Sequence, residues 1–415
     1  MLKAVVFNLG CKVNQYECDV LVSELATIGY DTTENLEKAD LYVINTCAVT
    51  GEAERKSRQI ISRIKKLNEK AEIIITGCAS QKNKDFYIAK GVRYVSGVGG
   101  KQNILAEIKN GLKVGNFDSP IAYEEPNEVP ATQRTRAYVK IQDGCNNFCT
   151  YCIIPYLRGR SRSRFIDNCV EEIREIAKST PEIVITGVNL AQYGVDNNES
   201  LAGLIRALSE VEVRIRLGSF YVEGINDELL CALKNLKEFC PHFHLSLQHG
   251  DDAVLKSMNR HYSHEEYKLK VALIRKYFPL AAITTDIIVG FPTETDEAFE
   301  NMLRFVEDVQ FSDIHIFPFS AREGTKAYSM PQIPADVIKR RKVKLKELRD
   351  VLHKSYINLM LNSYQNVIFE NKEDELSVGY SEYYLRIYAK TDKNRAIIKP
   401  LRIYRDGIIG EESYE

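Results

Sequence analysis

Three cysteines in one short loop have the spacing of an iron-sulfur ligand set. They are Cys145, Cys149 and Cys152, in the stretch Asp143-Gly-Cys-Asn-Asn-Phe-Cys-Thr-Tyr-Cys-Ile-Ile-Pro. A 4Fe-4S cluster normally takes four thiolates, so a set of three predicts one iron that can bind another ligand. The alternative is a zinc site completed by a histidine or by water, but none of the seven histidines lies near this loop.

Three further cysteines each follow a short apolar run within three residues. Cys11, Cys47 and Cys78 come after runs that are typical of parallel strands buried on both faces. The carboxyl ends of such strands share one edge of an open sheet, where ligands bind. The pattern therefore predicts that these thiols meet at a second three-ligand site, with buried or coincidental loop cysteines as the alternative. We interpret the other four as small core residues: Cys18, Cys169, Cys231 and Cys240.

The elements that must position these cysteines form an α/β pattern. The apolar runs 4–8, 41–45 and 72–76 alternate with helical stretches at 13–28 and 51–67, which predicts an open parallel sheet in an N-terminal domain, residues 1–115. Residues 116–133 are rich in proline and acid and are interpreted as a linker.

A second α/β series in residues 134–355 begins just before the Cys145 loop. Its six candidate strands suggest a partial, TIM-like (β/α)6 barrel that is open on one side, with active residues at the carboxyl ends of the strands. Residues 362–415 instead have the period-two pattern of a small antiparallel β-barrel, suited either to RNA contact or to a structural cap. The candidate strands are 138–142, 182–186, 213–218, 242–248, 283–290 and 313–319 in the centre, and 367–370, 383–388 and 396–399 at the end.

Composition limits the class of protein. The 415 residues include no run of eighteen apolar residues and no N-terminal signal peptide, so we expect a cytoplasmic protein with no membrane partner. In that reducing compartment the ten cysteines are not expected to form disulfides.

Positive charge is concentrated next to the Cys145 loop, although the net charge is only −1. The segment Arg-Gly-Arg-Ser-Arg-Ser-Arg alternates arginine with small residues, which predicts an exposed RNA-binding loop rather than a buried strand. Its arginines are Arg158, Arg160, Arg162 and Arg164. A second basic run, residues 339–344, is equally well explained as a solvated helix face.

Together these motifs resemble the radical S-adenosylmethionine methylthiotransferases over nearly the whole chain. The matching segments, besides the Cys145 loop, are Gly10-Cys-Lys-Val-Asn-Gln-Tyr-Glu17, Asn45-Thr-Cys-Ala-Val-Thr50, Thr76-Gly-Cys-Ala79 and Thr284-Thr-Asp-Ile-Ile-Val-Gly-Phe-Pro-Thr-Glu-Thr295. The resemblance implies two 4Fe-4S clusters, a TRAM-like RNA-binding C-terminal domain and S-adenosylmethionine as cofactor. It also implies an electron donor of the flavodoxin or ferredoxin type.

In the family's scheme, the Cys145/Cys149/Cys152 cluster produces a radical from S-adenosylmethionine, and the second cluster holds the sulfur that is methylated and delivered. Cofactor contacts are expected at strand ends near the first cluster, although a turn requirement explains the glycines equally well. The expected contacts are Tyr151, Thr186, Gly187, Asn189, Asp286 and Gly290.

Within the family, the segments 10–17 and 158–164 are most similar to the branch that acts on tRNA N6-threonylcarbamoyladenosine. The expected reaction is therefore methylthiolation of carbon 2 of this nucleoside at position 37, in the anticodon stem-loop. Two alternatives within the family are isopentenyladenosine in tRNA and a ribosomal-protein aspartate as substrate. An alternative of another class is a non-catalytic iron-sulfur or zinc protein that binds RNA.

Overall fold

The computed structural model describes residues 2–132 and 134–413. Met1, Gln133, Tyr414 and Glu415 fall within the predicted domain ranges but lie outside the described residues. The described chain forms a parallel sheet near the N terminus, two four-stranded sheets in the central part and a closed C-terminal barrel. No helix within these two ranges has the length and apolar character that a bilayer-spanning segment requires.

The N-terminal sheet has five parallel strands in the order β2-β1-β3-β4-β5. The strands are β1 Leu2–Asn8, β2 Tyr30–Thr33, β3 Leu41–Thr46, β4 Glu72–Gly77 and β5 Tyr94–Val95. The helices are α1 Lys12–Thr27, α2 Gly51–Leu67, α3 Cys78–Lys82, α4 Lys84–Ala89 and α5 Ile104–Lys109. The three predicted strands and both predicted helices are confirmed. The pattern missed β2 and β5 because these edge strands are short and β2 is largely polar.

The central part contains all six predicted strands, and backbone hydrogen bonds divide them between two sheets with the orders β7-β6-β8-β9 and β10-β11-β12-β13. The chain passes from one sheet to the other at Gly218, whose N–H donates to the Ile185 carbonyl (2.8 Å). The strands are β6 Arg136–Asp143, β7 Arg162–Ser163, β8 Glu182–Gly187, β9 Arg214–Leu217, β10 Ser219–Phe220, β11 His242–Leu245, β12 Ala282–Val289 and β13 Asp313–Pro318. All pairs are parallel except β6 with β7.

The two faces of the central strands differ in character. Ile183 and Ile185 of β8 belong to the main hydrophobic core, whereas Glu182 and Thr186 lie on the opposite face, as the period-two geometry of a strand requires. The central helices are α6 Ile154–Arg158, α7 Ile166–Ala177, α8 Leu201–Ala207, α9 Asp227–Lys234, α10 Asp252–Ser257, α11 His264–Tyr277, α12 Asp296–Val309 and α13 Ala335–Met360.

The C-terminal barrel has the strand order β14-β15-β16-β18-β17. It contacts the central part through arginines that donate to its backbone: Arg214 to the Asn366 carbonyl (2.8 Å) and Arg216 to the Ser381 carbonyl (3.1 Å). The period-two pattern indicated three of its strands and missed β15 and β18. The strands are β14 Gln365–Glu373, β15 Leu376–Ser381, β16 Arg386–Ala389, β17 Arg395–Tyr404 and β18 Gly407–Glu412.

The predicted linker contains neither helix nor strand over residues 116–132, and it is anchored on both sides. The Tyr123 hydroxyl donates to the Lys140 carbonyl of the central part (2.5 Å). The Asn127 amide donates to Glu24 of the N-terminal part (3.0 Å). The linker therefore lies in the interface between these two parts.

Candidate active site

The structure brings Cys11, Cys47 and Cys78 to one edge of the N-terminal sheet. They follow β1, β3 and β4, which are adjacent strands. Cys11 is exposed, and the other two are buried. Burial raises the pKa of the Cys47 thiol to about 12, and negative charge on Cys78 and Cys11 acts in the same direction, as expected for neighbouring thiols.

Two residues hold this edge together. The Cys11 thiol donates to the Asn14 amide oxygen (3.4 Å), while the Asn14 amide nitrogen donates to the carbonyl of Thr46 (3.1 Å). Gly77 has a φ of +104°, and a Cβ there would lie 2.6 Å from the Thr46 carbonyl oxygen. Only glycine fits this turn before Cys78 without displacing the backbone.

The second set of cysteines lies in the loop between β6 and α6. Cys145 and Cys149 are buried, and Cys152 is half-buried. The Cys145 N–H donates to the Gly159 carbonyl (3.1 Å), and the Cys152 N–H donates to the Cys149 carbonyl (2.9 Å), so the loop folds back on itself. Burial raises the pKa of Cys152 to about 12, and charge on Cys149 and Cys145 acts in the same direction.

Polar donors reach these thiols from distant parts of the chain. A guanidinium nitrogen of Arg260 lies 3.6 Å from the Cys149 sulfur, and the Asn189 amide nitrogen lies 3.9 Å from the Cys145 sulfur. The Arg260 side chain also stacks on the ring of Tyr221, at 4.1 Å from the ring centre. Sequence reasoning missed Arg260, because nothing in its local sequence points to a partner 111 residues away.

Both cysteine sets fit an iron-sulfur cluster. All six thiols are free, and each set is contributed by closely spaced backbone segments. Iron ligation requires thiolates, and a nearby positive charge favours the thiolate form. Arg260 provides this charge at the central set. Arg158 provides it at Cys78: burial raises the pKa of this thiol, and the charge of Arg158 lowers it.

The predicted cofactor contacts on β8 lie beside the Cys145 loop. Thr186 and Asn189 are buried. The Asn189 N–H donates to the Gln142 side-chain oxygen (2.8 Å), which fixes the strand end. Gly187 packs against the same glutamine: a Cβ there would lie 2.9 Å from this oxygen. The segment therefore presents Asn189 to the thiols, while Gly187 is explained by close packing.

The remaining predicted contacts lie on both sides of the loop. Tyr151 is in the loop itself, where burial raises the pKa of its hydroxyl and charge on Cys149 acts in the same direction. Asp286 on β12 faces His244, with 3.2 Å between carboxylate oxygen and ring nitrogen. Gly290 has a φ of +82°, and a Cβ there would lie 2.5 Å from Ile338, so backbone conformation and packing explain this glycine.

His244, Asp286 and His315 form a polar cluster that the sequence did not indicate. Their ligand atoms lie within 4.8 Å of one another. Thr284 also contacts this cluster, with its hydroxyl 3.0 Å from a ring nitrogen of His244. The only sequence signal for this cluster was that its polar residues lie on one face of neighbouring strands. That shared face becomes apparent only once the strand register is known.

Three of the four arginines predicted to form an exposed RNA-binding loop are buried, so the prediction that they are exposed is wrong. Arg158, Arg162 and Arg164 are 1%, 3% and 5% exposed, and residues 162 and 163 form strand β7, which the sequence pattern had excluded. Carboxylates from other segments neutralise them, which makes their burial possible. The ion pairs join Arg158 to Glu17 and Asp143, Arg162 to Asp143, and Arg164 to Glu125 and Glu172.

Arg160 remains exposed and lies beside the ring of Phe148. Its guanidinium is 4.6 Å from the ring centre of Phe148, which in turn contacts the Tyr156 ring edge to face at 5.4 Å. The second basic run lies on α13, where Arg341 is buried against Glu294 and the other cations are exposed. Of the other cysteines, Cys231 is exposed, so its interpretation as a core residue is wrong.

Two family models match the chain, the Radical SAM superfamily over residues 139–306 and the uncharacterized protein family UPF0004 over residues 3–97. The threonylcarbamoyladenosine tRNA methylthiotransferase MtaB of Chlamydia pneumoniae is 37% identical over 413 residues, covering 97% of this chain and 96% of that protein. The protein of the same description from Thermotoga maritima is 40% identical over 391 residues, covering 91% of this chain and 89% of that one.

A tRNA-2-methylthio-N(6)-dimethylallyladenosine synthase from Acetivibrio thermocellus is 35% identical over 383 residues, covering 88% of this chain and 79% of that protein. Among solved structures, the radical S-adenosylmethionine methyltransferase TsrM from Kitasatospora setae, with cobalamin and a [4Fe-4S] cluster bound, matches with a TM-score of 0.58 at 13% identity. The match covers 79% of this chain and 77% of TsrM, and at this identity it shows a shared fold only.

Proposed function

The chain belongs to the radical S-adenosylmethionine methylthiotransferases, and from this premise we propose that it methylthiolates carbon 2 of N6-threonylcarbamoyladenosine at position 37 of tRNA. The observation that carries the proposal is the identity of 37% and 40% to two proteins described as threonylcarbamoyladenosine tRNA methylthiotransferases, over 96% and 89% of their lengths. A non-catalytic RNA-binding protein is not favoured, because the family is one of enzymes. Isopentenyladenosine and a ribosomal-protein aspartate are not favoured as substrates either.

We assign one 4Fe-4S cluster to Cys145, Cys149 and Cys152 and a second to Cys11, Cys47 and Cys78. When bound, the clusters supply one-electron chemistry on S-adenosylmethionine and a soft site for the transferred sulfur. Arg260 and Asn189 support the first assignment because they direct N–H donors at its sulfurs.

The protein's own residues then hold and orient the cofactor. Asp286 offers a carboxylate suited to the cationic groups of S-adenosylmethionine, and its bond to His244 fixes its orientation. Thr186 and Asn189 supply polar groups at the end of β8, beside Cys145. Gly187 and Gly290 contribute by allowing Gln142 and Ile338, respectively, to approach the backbone closely.

The threonyl carboxylate of the substrate requires a cation, and three of the predicted arginines already have carboxylate partners. We assign this role to Lys12, which follows Cys11 directly. Among the described residues none forms a hydrogen bond or ion pair with its ammonium. Burial lowers the pKa of Lys12, and the charge of Arg216 in the central part acts in the same direction, whereas Asp286 opposes both. An unpaired ammonium that reaches from one cysteine set towards the other part suits a carboxylate on a base held between them.

RNA contact outside the reactive base is assigned to Arg160 with Phe148 and Tyr156. An exposed guanidinium beside the Phe148 ring, which Tyr156 in turn contacts, suits unpaired bases, since these stack on aromatic and guanidinium planes. We further propose the division into residues 1–115, 116–133, 134–355 and 362–415, with the last as a TRAM-like RNA-binding domain. A cytoplasmic location and a flavodoxin- or ferredoxin-type electron donor complete the proposal.

The proposal is tested with three anticodon stem-loops that carry unmodified, isopentenylated or threonylcarbamoylated adenosine. The anaerobically reconstituted enzyme is expected to convert the threonylcarbamoylated loop in preference, with a methylthio mass increment on the base. A pocket built for a charged group leaves buried polar atoms unsatisfied when the apolar isopentenyl group enters. Preferred turnover of the isopentenylated loop would contradict the substrate assignment and leave the radical chemistry in place.

A further inference from the structure

The buried guanidinium of Arg158 lies between the two cysteine sets. On the N-terminal side it donates to the Asn14 amide oxygen (3.0 Å) and to a Glu17 carboxylate oxygen (2.9 Å). On the central side it donates to both carboxylate oxygens of Asp143, at 3.0 Å each. Arg158 is 1% exposed, so these protein groups replace the water that would otherwise solvate its charge.

The N-terminal contacts lead directly to the first cysteine set. The Asn14 side chain accepts a hydrogen bond from the Cys11 thiol (3.4 Å) and donates one to the carbonyl of Thr46, the residue before Cys47 (3.1 Å). Through Asn14, Arg158 is thus linked to the Cys11 thiol and to the backbone just before Cys47.

The central contacts lead to the second set in the same way. Asp143 accepts the Gly144 N–H (2.8 Å), and the next residue is Cys145. The Cys145 N–H donates to the carbonyl of Gly159, the residue after Arg158 (3.1 Å). The backbone at residues 158 and 159 is therefore bonded to the beginning of the Cys145 loop.

We propose that Arg158 is a positioning residue that fixes the two cysteine sets relative to each other, so that sulfur held at one set meets the base activated by the other. The inference rests on the proposed two-site function. The planar guanidinium presents donors in two directions at once, which a lysine ammonium on a flexible stem cannot reproduce. Transfer between two sites depends steeply on such alignment, because a misplacement of about 1 Å can lower the rate about a hundredfold.

The competing explanation is that Arg158 only stabilises the interface between the N-terminal and central parts. The chain contains a matched control for this explanation. Arg164 is also buried, pairs with Glu172 (2.8 Å), and reaches α1 through the bond from the Tyr16 hydroxyl to Glu172 (3.0 Å). It joins the same two parts of the chain and contacts neither cysteine set. Arg158→Lys and Arg164→Lys therefore perturb the same interface, and only the first disturbs the cysteine segments.

The first measurement is the ratio of S-adenosylmethionine cleaved to methylthio product formed on the threonylcarbamoylated stem-loop. Arg158→Lys is expected to raise this ratio about ten- to a hundredfold, because cleavage continues while delivery is misaligned. Arg164→Lys is expected to leave the ratio unchanged. Equal ratios in both variants, with equal losses in melting temperature, would show that Arg158 only stabilises the interface and would overturn the proposal.

A second measurement does not depend on turnover. In protein carrying alanine at positions 145, 149 and 152, the midpoint potential of the remaining N-terminal cluster is followed by EPR titration. Arg158→Gln is expected to shift it to a more negative value, because a nearby positive charge favours the reduced state. Arg158→Lys is expected to shift it less, and Arg164→Gln not at all. A potential that is insensitive to Arg158→Gln would contradict the contact with the N-terminal set.

If the Arg158 variants do not fold, Asn14→Ala decides the question. It removes the link to Cys11 and Thr46 but leaves the ion pairs of Arg158 intact, and it is expected to raise the cleavage-to-product ratio in the same direction. A wild-type ratio in folded Asn14→Ala protein would overturn the proposal. Failure of the proposed function is recognised separately, because wild-type enzyme would then not prefer the threonylcarbamoylated stem-loop, while the potential measurement still reports on Arg158.

Discussion

Replacing Glu182 by glutamine should destabilise the central part strongly. This carboxylate is fully buried at the start of β8, and three arginines surround it: Arg214 and Arg216 donate to its oxygens at 2.7 Å each, and an Arg136 nitrogen lies 2.8 Å away. Breaking a buried ion pair by removing one partner costs about 3 to 5 kcal/mol, because the other charge stays buried without compensation. Glu182→Gln retains the size of the side chain and removes only its charge.

The pH dependence of the free energy of unfolding should change as well. Burial acts to raise the pKa of Glu182, but the charges of Arg216 and Arg214 outweigh it and lower the pKa to about 2. A carboxylate with a lowered folded-state pKa contributes stability that is present above its unfolded pKa of about 4.3 and is lost as the pH falls towards the folded value. The wild-type protein should therefore lose stability between about pH 4 and pH 2, and Glu182→Gln should flatten this part of the profile.

Urea denaturation followed by circular dichroism measures both effects. Hydrogen exchange should additionally increase in β14 and β15, because Arg214 and Arg216 also donate to carbonyls of the C-terminal barrel. The control is Glu228→Gln, since Glu228 forms an exposed pair with Arg206 whose loss should leave the urea midpoint unchanged. A Glu182→Gln midpoint equal to wild type would refute the reasoning that this carboxylate holds the arginines in place.

Three further predictions concern the clusters, the barrel interface and the substrate. Alanine at Cys145, Cys149 and Cys152 together should leave about four irons per chain, bound by the N-terminal set, and abolish cleavage of S-adenosylmethionine; iron analysis showing none in folded protein would contradict two independent sites. Burial raises the pKa of Glu382 to about 7, so the folded protein binds an extra proton and loses stability as the pH rises from about 4 to 7; Glu382→Gln should remove this loss, about 1 to 3 kcal/mol by urea midpoints at pH 5 and pH 8. Lys12→Gln should raise the KM for the threonylcarbamoylated stem-loop about tenfold or more, as the loss of a charge-assisted bond requires, without changing iron content, and an unchanged KM would remove Lys12 from the substrate site.

The sequence by itself determined three strands and two helices of the N-terminal part and the edge at which its cysteines meet. Short apolar runs followed by Cys11, Cys47 and Cys78 allow one arrangement in a parallel βαβαβ unit, because the carboxyl ends of its strands share an edge. The structure has that arrangement, with β1, β3 and β4 adjacent. The Cys145 loop was recognisable for a similar reason, since its three thiols are close in sequence and need no tertiary contact to meet.

Only the tertiary structure decided whether the arginines that follow this loop are buried or exposed. Alternation of arginine with small residues indicated exposure, but Arg158 pairs with Glu17 and Arg164 with Glu172, in segments that the fold brings to them. Whether a charge is solvated or buried depends on the partners that other elements supply, and local spacing carries no information about partners 141 residues away. The same limit applies to Arg260, because its approach to Cys149 exists only once the strands and loops of the central part have packed.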